Sequence, residues 1–204
     1  MKIGIYGGAF DPVHRGHLEP ADAVARKLQL DCLYYVPSRR SPFPEKGHPT
    51  DSRHRVAMLA LALAGREDRI VSLCELDAPE PSYTIDTVRT FRRSHPGDSL
   101  HLLMGADALA GLPRWKDPDE IARACRICAF PRQGEDLEAV VARPELVPFR
   151  SSILIFDEVR VKISSTDVRE AAAWGESLAG RTPAAVEEYI RKQGLYRQSG
   201  NHPN

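Results

Sequence analysis

Lys2-Ile-Gly-Ile-Tyr-Gly-Gly-Ala-Phe-Asp-Pro-Val-His-Arg-Gly-His17 is the stretch from which the fold can be read. Ile3, Ile5 and Tyr6 form a short apolar run that stops at Gly7-Gly8, the pattern of a buried strand ending where backbone must come close to a ligand. Beyond Asp11-Pro12 stand His14 and His17, and Gly16-His17 opens a segment with Leu18, Ala21, Val24, Ala25 and Leu28 at helical spacing. Strand, glycine turn, histidines and helix start, in that order, build a phosphate site. A helix start presents unpaired N–H groups and a partial positive charge, and imidazoles beside it add movable donors.

Composition sets limits on everything else. The 204 residues, 42% hydrophobic and 27% charged, suffice for one domain with a full core. Twenty-eight basic and 28 acidic side chains cancel, so no overall field would hold a nucleic-acid polymer or a membrane surface, and anion binding must be local. No apolar run approaches the ~18 residues of a membrane span, and the N-terminus enters a strand directly, which points to the cytoplasm. Cys32, Cys74, Cys125 and Cys128 lie in or beside apolar runs and read as small buried hydrophobes. Cys125-x-x-Cys128 has no second ligand pair at matching spacing, and it sits in a strand-like run rather than a strand-to-helix turn.

Taken in order, strands and helices alternate. A second strand is expected over 31–36 and a long polar loop near the site over 38–50. A helix capped by Asp51-Ser52 should follow, with Val56, Leu59, Ala60 and Leu63 as its apolar stripe. The next elements are a strand at 70–73, a helix from Ser82 or Thr84 carrying Ile85, Val88 and Phe91, and a strand over 99–104 ending at Gly105. Short helical pieces, a strand around 127–130, a short helix within 132–149 and a strand over 152–156 complete the middle. Two helices close the chain, one after Ile163-Ser-Ser-Thr166 and one from Pro183. Such alternation implies an α/β fold with a doubly wound, mostly parallel sheet, Rossmann-like, with a small C-terminal helical part. Residues 1–197 form one domain on this reading, and 198–204 a disordered tail.

Two further places carry chemistry. Gly105-Ala106-Asp107 puts a carboxylate just beyond a strand's carboxyl end, where it can bond a ribose. After Ile163, the hydroxyls of Ser164, Ser165 and Thr166 stand at a helix start with Arg169 one turn in, a second phosphate cradle. Taken alone, that segment reads more readily as a Ser/Thr cap with an arginine on a solvated face.

Gly7-Gly8-Ala9-Phe10-Asp11-Pro12-Val13-His14-Arg15-Gly16-His17 resembles the signature of the nucleotidyltransferase superfamily, with Ala9 where its adenylyltransferases commonly have Thr. Ile163-Ser-Ser-Thr-x-x-Arg169 is similar to the motif with which that superfamily binds triphosphate. Pro81-Ser-Tyr-Thr-Ile-Asp-Thr87, Gly105-Ala-Asp with Leu112-Pro-x-Trp115, and Tyr189-Ile-x-x-x-Gly194-Leu-Tyr-Arg197 look like the bacterial nicotinate-nucleotide adenylyltransferases of NAD biosynthesis. The resemblance implies an ATP site made by Gly7, Gly8, Ala9, Phe10, His14, Gly16, His17, Gly105, Asp107, Ile163, Ser164, Ser165, Thr166 and Arg169. It implies a nicotinate mononucleotide site at Ser82, Tyr83, Thr84 and Trp115. Without it, Trp115 would read as a core aromatic and Tyr83 as a packing residue.

The implied reaction needs no protein nucleophile. The mononucleotide's 5′-phosphate, with a second pKa of about 6, can attack the α-phosphorus of ATP, so that pyrophosphate leaves. The enzyme then supplies alignment and charge neutralisation. His17 is assigned to the α-phosphate with His14 beside it, and Arg169, Ser165 and Thr166 to the β- and γ-phosphates. Mg2+ would be brought with ATP, since no carboxylate cluster builds a metal cage. ATP and nicotinate mononucleotide are thus the expected partners, and self-association into a homo-oligomer is left open. The alternatives are a sister nucleotidyltransferase (acting on nicotinamide mononucleotide or pantetheine phosphate, or transferring cytidylyl), a nucleotide-binding regulator without turnover, and a general structural or protein-interaction domain, which would not require both phosphate motifs. The family's Pro-Pro-His-Lys is absent: Pro37-Ser-Arg-Arg-Ser-Pro-Phe-Pro-Glu-Lys46 stands there, offering Arg39, Arg40 or Lys46 as a substitute cation.

Overall fold

The computed structural model describes residues 1–42, 49–131, 136–158 and 162–197. Six strands among them, β1 (Lys2–Gly8), β2 (Cys32–Pro37), β3 (Arg69–Val71), β4 (Ser99–Gly105), β5 (Arg126–Phe130) and β6 (Ile153–Ile155), make one sheet in the order β3-β2-β1-β4-β5-β6. Every neighbouring pair is parallel. The order reverses between β1 and β4, so the helices after β1 and β4 leave in opposite directions and open a crevice beyond the strand ends.

Eight helices among the described residues cover the two faces: α1 (Arg15–Leu28), α2 (Ser52–Leu63), α3 (Thr84–Ser94), α4 (Ala106–Gly111), α5 (Pro118–Ala124), α6 (Leu137–Val141), α7 (Ser165–Ala173) and α8 (Ala184–Gln193). Among the described residues, 3-10 turns at Leu112–Arg114, between α4 and α5, and at Pro144–Ser152, between α6 and β6, connect elements. Because strand side chains alternate, β1 feeds both cores. Ile3 and Ile5 pack with Ile85, Val88, Leu109 and Ile121 from α3, α4 and α5. Tyr6 faces the other way, with Val24, Leu59, Val168 and Val186 from α1, α2, α7 and α8.

Several expectations change in detail. β1 does not stop before the glycines: Gly7 and Gly8 stay in the ladder, opposite Val36 and Pro37. α2 buries Arg55, Met58, Leu59 and Leu63, while Val56 is only half-buried and Ala60 exposed. The reason is Arg55, which is 1% exposed and satisfied by carbonyls, so the inner face of α2 is turned toward it. Asp51 caps this helix as expected, accepting from Arg53 N. Cys125 and Cys128 are free, buried thiols, each pushed up to about 12 by burial, and Cys125 closes α5 by bonding the Ile121 carbonyl. The tail expected to be disordered, 198–204, lies outside the described residues. Among the described residues, no helix is long and apolar enough to cross a membrane.

Candidate active site

The crevice at the strand ends is a cleft of about 530 Å³. Its floor is Gly7 and Gly8 at the end of β1 with Ala9 and Phe10 beyond them, and Gly105 at the end of β4 with Asp107 and Ala108 beyond it. A Cβ on Gly7 would meet nothing within 4 Å, so the glycine leaves open space above the strand end, while a Cβ on Gly8 would lie 3.2 Å from the Phe10 ring. Phe10 holds a φ of 48°, a conformation bulky residues seldom adopt. Burial offsets the strain, since the ring packs edge-on against Tyr6 at 5.4 Å and His17 at 5.1 Å.

His14 is the extended residue before α1, and His17 lies in its first turn. Their rings stand 3.8 Å apart, His14 fully buried and His17 on the cleft wall. The two motifs from opposite ends of the chain meet here. A Cβ on Gly16 would come within 2.7 Å of the Ile163 carbonyl and 2.9 Å of the His14 ring, so only glycine lets α1 begin against this segment. Ser165 Oγ donates to the Pro12 carbonyl at 3.2 Å, and Arg169 Nη1 to the Asp11 carbonyl at 2.8 Å. Arg15 N reaches the Arg181 carbonyl at 2.9 Å.

The hydroxyls at the start of α7 divide their work. Ser164 and Asp167 form a reciprocal cap: Ser164 Oγ accepts from Asp167 N, and Asp167 Oδ2 accepts from Ser164 N. Those bonds hold the Asp167 carboxyl below its ordinary pKa. The cap reading of this segment therefore applies to Ser164. Ser165 is on the cleft wall, and Thr166 Oγ1 accepts from Arg169 Nη2 at 3.2 Å.

The far end of the cleft is built by α3 and by the turn after the Leu112–Arg114 stretch. Ser82, Tyr83, Thr84 and Trp115 line it together with Glu75, Thr87, Arg114 and Lys116, which the sequence did not single out. Lys116 Nζ sits 4.6 Å from the Tyr83 ring centroid and 3.5 Å from Asp86 Oδ2. Glu75 is buried and accepts a hydrogen bond from Thr87 Oγ1 at 2.5 Å. Burial raises its pKa, against the opposing pull of the Thr87 and Ser82 hydroxyls.

Of the expected site residues, His14, Gly16, Ile163, Ser164, Thr166 and Arg169 are absent from the cleft wall itself and stand behind or beside it. Arg39 and Arg40, offered as substitute cations, turn toward Glu80, and Arg39 also donates to the Leu76 and Ala78 carbonyls. They brace the loop that carries Ser82. Lys46 lies outside the described residues.

A parallel sheet with its crevice at the order reversal and two motif-bearing helix starts at one rim is the frame of a nucleotidyltransferase, and residues 5–171 match the Cytidylyltransferase-like family model. Within that class, a Moorella thermoacetica protein called "Probable nicotinate-nucleotide adenylyltransferase" is 40% identical over 199 residues, covering 96% of this chain and 92% of its own. One of the same name from Thermus thermophilus is 38% identical over 199 residues, covering 97% of this chain and 100% of its own. The chain belongs to the nicotinate-nucleotide adenylyltransferase family. Its fold superposes on Plasmodium falciparum nicotinic acid mononucleotide adenylyltransferase complexed with NaAD, with a TM-score of 0.77 at 18% identity, covering 96% of this chain and 97% of that one.

Proposed function

We propose that the chain transfers the adenylyl group of ATP to nicotinate mononucleotide, forming nicotinate adenine dinucleotide and pyrophosphate. The observation that supports this is the interlock of Gly16 with Ile163 and of Arg169 with Asp11, which brings segments 7–17 and 163–169 together beside the cleft. The mononucleotide phosphate attacks the α-phosphorus, and the α–β bridging oxygen leaves with pyrophosphate. His17 donates to the α-phosphate oxygens as charge shifts, with His14 against it fixing its ring plane. Ser165, Thr166 and Arg169 take the β- and γ-phosphates. None of these groups has to form a bond to the substrate, since alignment and charge stabilisation dominate phosphoryl transfer.

The pyridine ring lies on Trp115, beside Tyr83 and Thr84. An indole face attracts a flat cationic ring. The start of α3 and the cations Lys116 and Arg114 favour a carboxylate over a neutral amide. Asp107 is exposed at the floor, within reach of a ribose.

Among the described residues, no group of three or more His, Cys, Asp or Glu side chains converges on a common point, and Glu75 and Asp107 are the carboxylates of the cleft wall. That donor set fits a Mg2+ ion held by the triphosphate and its own water. Such an ion would neutralise the departing pyrophosphate.

Pyrophosphate release tests the proposal, with ATP and either nicotinate or nicotinamide mononucleotide, with and without magnesium. Faster release with the acid and dependence on magnesium are expected. Nucleotide-induced stabilisation without pyrophosphate from any mononucleotide would instead identify a nucleotide-binding regulator.

A further inference from the structure

The chain that follows α8 returns to the phosphate loop. Past Gly194, which caps α8 in a left-handed conformation, Tyr196 takes a φ of 63° and points its hydroxyl at Asp11, 185 residues earlier. The hydroxyl donates to Asp11 Oδ1 at 2.6 Å, and the other carboxylate oxygen accepts from Thr50 N at 2.9 Å. Burial raises the pKa of the Tyr196 hydroxyl, so it remains a donor across the physiological range.

Asp11 is also where Arg169 is hung: the guanidinium bonds the Asp11 carbonyl, and its other arm bonds Thr166 Oγ1. From the opposite side, the buried Arg55 donates through Nη1 to the Ala9 carbonyl and through Nε to the Thr50 carbonyl, both at 2.8 Å. The segment from Ala9 to Asp11, strained at Phe10, is thereby tied to α2, to α7 and to the turn after α8. Neither Tyr196 nor Arg55 lines the cleft. A non-glycine residue at positive φ persists only where its surroundings determine it, and here the determinant is a bond to the loop that carries the phosphate machinery.

We propose that Tyr196 is a positioning residue for adenylyl transfer: through Asp11 it fixes the peptide from which Arg169 is suspended, and so sets the aim of that guanidinium at the triphosphate. This rests on the function proposed above. It predicts an effect confined to one substrate, because Tyr196 touches the triphosphate end and nothing around Trp115.

The test is Tyr196→Phe, which keeps the ring and removes only the hydroxyl. Loss of a hydrogen bond to a charged group should lower kcat/KM for ATP by about tenfold, with KM for nicotinate mononucleotide unchanged. A drop in Tm with both substrate constants intact would reduce Tyr196 to a structural role and overturn the proposal. A second measurement places the effect in Arg169: in an Arg169→Lys background, removing the Tyr196 hydroxyl should cost less than about twofold further. The same tenfold loss in both backgrounds would also overturn it. Absence of pyrophosphate from the unmodified protein would instead refute the adenylyl-transfer reading, so the two failures are distinguishable.

Discussion

The space where a side chain would stand on Gly16 is taken by the main-chain oxygen of Ile163, 2.7 Å from where its Cβ would be. The start of α1 and the lead-in to α7 are thus packed backbone against backbone. That contact, with the Ser165–Pro12 and Arg169–Asp11 bonds, makes one rim beside the cleft from residues about 150 positions apart.

Gly16→Ala should therefore do more than stiffen a turn. The obstacle is a carbonyl oxygen, which cannot rotate aside as a side-chain tip can, so α1 and α7 must separate. Overpacking of this kind costs about 1–3 kcal/mol. Thermal unfolding should show a lowered Tm, and turnover should fall further than the loss of folded protein accounts for. Unchanged turnover at a temperature where the variant is folded would show that the two motifs need not touch.

Glu75 gives the cleft a pH signature. Its carboxyl is held above its ordinary pKa by burial. Folding carries no penalty from this group below the unfolded value of about 4.3, and stability is lost as pH rises through the higher folded value. Glu75→Gln, which keeps an acceptor for Thr87, removes the titration. The Tm of the variant minus that of the unmodified protein should become more positive as pH is raised from about 4 to 7. A difference that stays flat or shrinks would mean the carboxylate is well solvated in the folded protein.

Lys116 is placed over Tyr83, at the end of the cleft proposed to take the pyridine ring. Lys116→Met should raise KM for nicotinate mononucleotide by about fivefold, the worth of one partly exposed charge pair, and leave KM for ATP alone. Preference for the acid over the amide should narrow with it. Equal effects on both mononucleotides would assign Lys116 to packing on Tyr83 instead.

The parallel sheet was legible because its signals are local: apolar runs ending at Gly8 and Gly105, helix starts at Asp51 and Ser164, and stops at Gly65 and Gly97. The two strings that carry the family resemblance, 7–17 and 163–169, were legible for the same reason, since each is contiguous. What the sequence hid is long-range. Arg55 sits in a run that reads as an ordinary apolar stripe shifted by one residue, and its partners are main-chain carbonyls at Ala9 and Thr50, which no pattern of side chains announces. Glu75 precedes α3 in a polar loop, and its burial follows from Thr87 closing over it. Lys116 follows a recognised tryptophan, yet only the fold aims it at Tyr83. Arg39 and Arg40 show the converse: arginines in the right stretch of sequence were claimed by Glu80.

His17 stands on the cleft wall with His14 behind it and Phe10 against its edge. Steady-state pyrophosphate release by His17→Ala, measured beside its Tm, is the most direct examination of adenylyl transfer at this rim. A fall in kcat of about 10² or more is expected, the usual loss when one donor to a developing oxyanion is removed, with the protein still folded at the assay temperature. Near-normal turnover would contradict the placement of the triphosphate between His17 and Arg169.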